Sequence, residues 1–132
     1  MNKIPDNLPA LLLPWYYASR RDLPWRRDRE PYHIWISEIM LQQTRVEAVK
    51  GYYARFLDTL PTIAALAACD DDLLHKLWEG LGYYSRVRNL KKCAQVLMTS
   101  YGGEFPRSYG EILSLPGIGA YTAGAICSIC SI

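Results

Sequence analysis

Apolar residues recur along this chain at three- and four-residue intervals, and the alternation that marks strands is nearly absent. Asp6 or Asn7 is placed to cap a first helix running to about Ala18. The stretch from Arg20 to Pro31 is polar, rich in arginine and punctuated by Pro24 and Pro31, which predicts a loop. Tyr32 to Gln43 reads as a helix with Trp35, Ile36, Ile39 and Met40 on one broad face. Val46 to Leu60 repeats the pattern with Val49, Tyr53, Phe56 and Leu57. Pro61 and Thr62 open a short helix ending near Cys69, and Asp70 or Asp71 caps the next, which ends at Gly80. After the tight turn Gly80-Leu81-Gly82, Tyr84 to Tyr101 forms a long helix closed by Gly102-Gly103. Ser108 opens another short helix, and a glycine turn at 117–119 leads into the last.

That last helix changes the picture. No charged residue occurs from Ile112 to Ile132, and no stop signal follows. An apolar helix of this kind needs a covering surface, so the pattern predicts a further segment of chain packed on it.

With 132 residues, half of them apolar, the chain can fold as one compact domain with a real core. Fifteen basic against thirteen acidic side chains leave a net charge of +2, too small to imply a nucleic-acid partner by itself. The distribution says more. Arg20, Arg21, Arg26, Arg27 and Arg29 crowd one stretch, opposed by Asp22, Asp28 and Glu30; Arg86, Arg88, Lys91 and Lys92 form a second cluster. Such patches suit phosphates, and a solvated charged face would have the same composition. The run from Leu8 to Trp15 is short and broken by Pro9 and Pro14, unlike a secretory signal, and no stretch approaches a membrane span. A cytoplasmic, nucleoid-associated protein is expected. Cys127 and Cys130 have CxxC spacing, but no second ligand pair lies nearby, so they read as small core residues and no metal site is expected.

Two segments carry candidate chemistry. In Leu115-Pro116-Gly117-Ile118-Gly119-Ala120-Tyr121-Thr122-Ala123, two glycines make a turn whose amides can approach another surface, and a helix begins at once. Free N–H groups there suit an anion such as a DNA phosphate; an ordinary Pro-Gly turn fits the same residues. In Ser37-Glu38-Ile39-Met40-Leu41-Gln42-Gln43-Thr44, Glu38 shares its helix face with Ile34 and Leu41. A carboxyl group in apolar surroundings tends to stay protonated and can act as a general acid. A surface glutamate beside an apolar stripe is the alternative. Gln42, Gln43 and Thr44 can bond base edges or fill the gap left by an extruded nucleotide, or simply end a helix.

Together with Arg21-Asp22-Leu23-Pro24-Trp25-Arg26 and Trp78-Glu79-Gly80-Leu81-Gly82-Tyr83-Tyr84, these segments closely resemble MutY-type adenine DNA glycosylases of the helix-hairpin-helix superfamily that includes endonuclease III. The resemblance covers nearly the whole chain. It implies an all-α helix-hairpin-helix glycosylase fold. Residues 1–30 would be an N-terminal helix and Arg-rich loop belonging to an iron–sulfur-side domain. Residues 31–132 would form most of a six-helix barrel, with the helix-hairpin-helix at about 108–130. The implied reaction is hydrolytic removal of adenine mispaired with 8-oxoguanine or G in double-stranded DNA, by a monomer. Glu38 falls at the catalytic glutamate, and Tyr121 stands where the lyase branch has a Schiff-base lysine. A phenol cannot form that imine, so a hydrolytic role follows, with Tyr121 positioning the base or the nucleophile. Arg21, Trp25, Arg26 and Leu41 match the adenine pocket. Gln42 belongs to the Gln-Gln-Thr ending most specific to the adenine branch. Gln43 and Thr44 match residues near the vacated stack, Leu81 and Tyr83 a wedge facing the lesion strand, and Gly117, Ile118 and Gly119 the phosphate-binding hairpin. A related mismatch or damaged-base glycosylase, or a non-enzymatic helix-hairpin-helix DNA-binding module, are the alternatives.

The family's second catalytic carboxylate, its four cysteine ligands for a [4Fe-4S] cluster and its lesion-recognition domain are expected downstream of this chain, which has no Asp or Glu after Glu111. The 132-residue piece is therefore expected to be inactive or severely impaired, and its own cysteines are not the cluster's ligands.

Overall fold

The computed structural model describes residues 30–130, apart from Gln43 and Tyr83. The expected first helix and the Arg-rich loop up to residue 29 lie outside the described residues. Within them the chain is helical throughout: α1 (Pro31–Leu41), α2 (Val46–Thr59), α3 (Ile63–Ala68), α4 (Asp71–Trp78), α5 (Tyr84–Ser100), α6 (Tyr109–Leu113) and α7 (Ala120–Cys130). None of these helices is long and apolar enough to cross a membrane.

Local chemistry sets most boundaries. Pro31 occupies the first turn of α1, where its missing N–H costs nothing, so the helix begins one residue earlier than the expected Tyr32. The Thr62 hydroxyl accepts from the Ala65 N–H at 3.1 Å and caps α3. Ser108 does the same for α6, accepting from the Glu111 N–H at 3.1 Å while its own hydroxyl donates to the Glu111 carboxylate, also at 3.1 Å. Asp70 stands at the N-cap of α4 without a side-chain capping bond. The acidic residues Asp71 and Asp72 in the first turn of α4, with His75 and Lys76 in its last, complement the helix dipole instead.

α1 is the axis of the core. Ile34, Ile36 and Met40 are fully enclosed, and Trp35 nearly so. This helix packs against α2 and α7, α3 packs against α5, and α4 bridges α2 and α5. An element buried on all sides carries no polar face, which is why α1 has apolar residues around its circumference. Its first turn is tied down by the Tyr32 hydroxyl, which donates to the Leu60 carbonyl at the end of α2 at 2.7 Å. Burial holds that phenol well above its ordinary pKa, so it stays a donor. Aromatic edges fill the remaining space, with Trp35 against Phe105 at 5.4 Å and Phe56 against Trp78 at 6.0 Å between ring centroids.

Candidate active site

Glu38 lies on the third turn of α1 and is 2% exposed. The helix carries it into the interior with Ile34 and Trp35 before it and Ile39 and Met40 after it, all buried. Ser37 and Thr122 are the other buried polar residues among the described ones. The Ser37 hydroxyl is spent on the Ile34 carbonyl at 2.8 Å, within its own helix. Glu38 is thus a carboxyl group withdrawn from water on a helix that packs against α7.

α7 brings the second candidate. Tyr121 stands in its first turn and is 47% exposed. Leading into it, α6 and α7 are joined by a turn anchored from below. Ile112, Leu115 and Ile118 are buried, and the Ile118 N–H closes on the Leu115 carbonyl at 3.2 Å. Between these anchors Gly117 and Gly119 face outward. Gly117 has φ +76°, the left-handed region that only glycine enters freely. Its missing side chain also makes room for Asn89 of α5. Ile118, expected to take part in gripping phosphate, is 6% exposed, and its side chain belongs to the core.

The end of α1 meets this hairpin. A cavity of about 310 Å³ opens there, lined by Trp35, Ile39 and Gln42 of α1, Arg86, Asn89 and Leu90 of α5, and Pro116, Gly117 and Gly119 of the hairpin. Gln42 caps α1. Its side-chain Nε2 donates to the Thr122 hydroxyl at 3.1 Å, and its Oε1 accepts from the Arg86 guanidinium. The amide expected to address base edges is therefore held by side chains of two neighbouring helices, on a residue that is itself exposed. Leu41 and Thr44 are half-buried beside it. Arg21, Trp25, Arg26, Gln43 and Tyr83 lie outside the described residues.

Leu81 was expected as a wedge facing the lesion strand. It is 5% exposed and sits in the core cluster, its N–H bonded to the Trp78 carbonyl at 3.0 Å in the turn that ends α4. Burying the isobutyl group is the more favourable outcome for an apolar residue set between two flexible glycines. The turn itself is pinned by Tyr52, whose hydroxyl donates to the Glu79 carbonyl at 2.9 Å. Sequence reasoning missed Tyr52, because nothing local ties α2 to a turn 27 residues downstream.

The second basic cluster is only partly available to a ligand. Lys91 pairs with Asp71 at 2.6 Å. That bond holds the Asp71 carboxyl below its ordinary range and raises the ammonium. Arg88 and Lys92 remain exposed.

No group of three or more His, Cys, Asp or Glu side chains that could hold a metal ion occurs among the described residues. Cys69 and Cys93 are singly buried, and the Cys127 thiol lies 4.0 Å from the Arg107 carbonyl. These residues do not fit an iron–sulfur cluster.

Residues 36–127, which include Glu38, the hairpin and Tyr121, match the HhH-GPD superfamily base excision DNA repair protein family. The chain belongs to that superfamily. Its sequence is 50% identical over 118 residues to an adenine DNA glycosylase of Buchnera aphidicola subsp. Baizongia pistaciae, covering 89% of this chain and 34% of that protein. It is 46% identical over 127 residues to the human adenine DNA glycosylase, covering 89% of this chain and 23% of the relative. The chain thus spans about a third or less of these relatives' length. A thermostable thymine-DNA glycosylase has a similar structure, with a TM-score of 0.80 at 33% identity over 93% of this chain and 57% of that one. Endonuclease III bound to DNA shares the fold, with a TM-score of 0.73 at 24% identity over 92% of this chain and 57% of that one. The HhH-GPD fold is therefore the one that the resemblance to helix-hairpin-helix glycosylases implied.

Proposed function

We propose that this chain supplies the acid-bearing part of an adenine DNA glycosylase, which removes adenine mispaired with 8-oxoguanine or G from double-stranded DNA in the cytoplasm, at the nucleoid. The observation that carries the reading is the near-complete burial of Glu38 on a helix that packs against the one bearing Tyr121. The 50% and 46% identity to adenine DNA glycosylases supports the choice of base.

Hydrolysis of an N-glycosidic bond needs a proton for the leaving base and a nucleophile for the sugar. The Glu38 carboxyl gives its proton to a ring nitrogen of the flipped adenine. The electron pair of the sugar–base bond leaves with the base, and an oxocarbenium-like sugar remains, favoured by a nearby carboxylate. Water adds to the sugar carbon and loses its proton to Glu38, which restores the starting acid. Burial is what a general acid of this kind requires, because removing a carboxyl from water favours its protonated form.

The other assignments follow the same reading. Arg21, Trp25, Arg26 and Leu41 receive the extruded adenine, Gln43 and Thr44 border the vacated stack, and Tyr83 addresses the opposite strand. Gly117 and Gly119 hold a phosphate through backbone amides and the start of α7. With no charged residue from Ile112 onward, the salt dependence of DNA binding comes from the arginine-rich stretches instead. A [4Fe-4S] cluster, with ligands supplied from outside this chain, and a monomeric state complete the proposal.

One observation favours a second reading. The thymine-DNA glycosylase neighbour has a TM-score of 0.80 and a third of its aligned residues identical, so removal of thymine opposite G is the competing activity. Duplexes carrying A opposite 8-oxoguanine, T opposite G, or an oxidised pyrimidine decide between them when incubated with the full-length protein. Excision from the first duplex is expected. Excision confined to the other two would end the adenine assignment.

A further inference from the structure

Gln42 was expected to face DNA; it is an exposed residue, and both ends of its amide are engaged by side chains of other helices. Arg86 fixes which end points where. A guanidinium only donates, so it must face the carbonyl oxygen of the amide. That leaves Nε2 directed at the Thr122 hydroxyl, 3.1 Å away. Thr122 is 1% exposed, and a buried hydroxyl is costly without a partner. A cationic donor on Oε1 also polarises the amide and strengthens Nε2–H as a donor to Thr122.

These three residues belong to elements far apart in sequence. Arg86 lies in the first turn of α5, Gln42 caps α1, and Thr122 lies in the first turn of α7. Gln42 follows Glu38 by four residues, one helical turn, and Thr122 follows Tyr121 directly. The same contact therefore couples the helix carrying the acid to the helix start that follows the phosphate-gripping hairpin. We propose that Gln42 is a positioning residue: its amide, oriented by Arg86, holds the first turn of α7 in register with the Glu38 helix, so that the strand held at Gly117–Gly119 presents its sugar to the acid. This rests on the reading of Glu38 as the proton donor.

The test uses the full-length protein and two kinds of readout. Gln42→Met keeps the side-chain length and removes the amide; Thr122→Val removes the hydroxyl and keeps the shape; Thr122→Ser restores the hydroxyl. Hydrogen exchange reports the register directly. Amides of residues 123 and 124, beginning with Ala123, whose N–H bonds the Gly119 carbonyl at 2.9 Å, should exchange faster in Gln42→Met and Thr122→Val. Amides of α3 should be unchanged.

Single-turnover adenine excision should slow about ten-fold in each of these two variants, with no further loss in the double variant. Thr122→Ser should restore the rate, and duplex Kd should stay within about two-fold. Unchanged exchange at 123 and 124, additive losses in the double variant, or weaker duplex binding with an unchanged rate would each overturn the proposal. Absence of adenine excision by the unsubstituted protein would instead remove the functional reading, while the exchange measurement still decides whether Gln42 sets the register.

Discussion

Gly117 packs its backbone directly against Asn89: a Cβ at position 117 would come within 2.6 Å of the Asn89 Cβ. The contact is between a hairpin backbone and a carbon fixed to α5, so neither side can swing away. The hairpin sits against α5 only because position 117 has no side chain.

Gly117→Ala should therefore destabilise the domain for two reasons, the positive φ and the collision, together worth roughly 2–4 kcal/mol. The melting temperature should fall by on the order of 10 °C. Asn89→Gly in the same chain removes the opposing Cβ and should recover part of the loss, whereas Asn89→Ala keeps that carbon and should recover little. Calorimetric melting of the four proteins checks this, and equal rescue by both substitutions would count against the stated contact.

Gly80 and Tyr52 repeat the theme at the turn after α4. A side chain at position 80, where φ is +96°, would run into the Tyr52 hydroxyl that holds the Glu79 carbonyl. Tyr52→Phe should cost about 0.5–1.5 kcal/mol through the lost hydrogen bond. Gly80→Ala should cost more in the Tyr52 protein than in the Tyr52→Phe protein, because only the former contains the colliding oxygen. Urea unfolding midpoints of the four combinations measure that difference.

Much of this architecture was legible in the sequence because it is made locally. Thr62 and Ser108 announced their helices, and both caps form as hydroxyl-to-backbone bonds three residues long. The glycines at 80, 82, 102, 103 and 117 marked turns, and each takes a positive φ. What was not legible depends on partners far along the chain. Nothing at the end of α1 reveals that Thr122 and Arg86 converge on the Gln42 amide. The glycines around Leu81 told that the chain turns there, not that the Leu81 side chain packs into the core. Lys91 read as part of a basic patch until the fold set it against Asp71, 20 residues earlier.

Burial pushes the Cys93 thiol up to about 12 from an ordinary 9.0. The folded state thus holds the neutral thiol, while the unfolded chain releases its proton nearer pH 9. Below that pH the group gives stability no pH dependence. As pH rises from about 9 toward 12, its contribution to stability is progressively lost. The urea midpoint should fall between pH 8 and pH 10.5, and Cys93→Ala should fall less over the same interval. In the native protein at pH 8, Cys93 should react with a thiol reagent only through unfolding, so its rate should track stability. Prompt labelling of Cys93 in the absence of denaturant would contradict its position in the core.

Tyr121 leaves a chemical signature by what it cannot do. A phenol forms no imine with an opened sugar, so borohydride should trap no covalent protein–DNA complex through this position during base removal. Gel analysis of full-length protein incubated with an adenine mispair and borohydride checks this. A trapped complex lost on Tyr121→Phe would show covalent chemistry at that residue in place of hydrolysis.

Glu38 is the residue on which the account turns. Glu38→Gln preserves size and hydrogen-bonding capacity but has no transferable proton. In the full-length protein, single-turnover excision of adenine opposite 8-oxoguanine should fall by at least about 100-fold, with duplex affinity nearly unchanged. Excision by the Glu38→Gln protein at close to the native rate would contradict the assignment of this buried carboxyl as the acid.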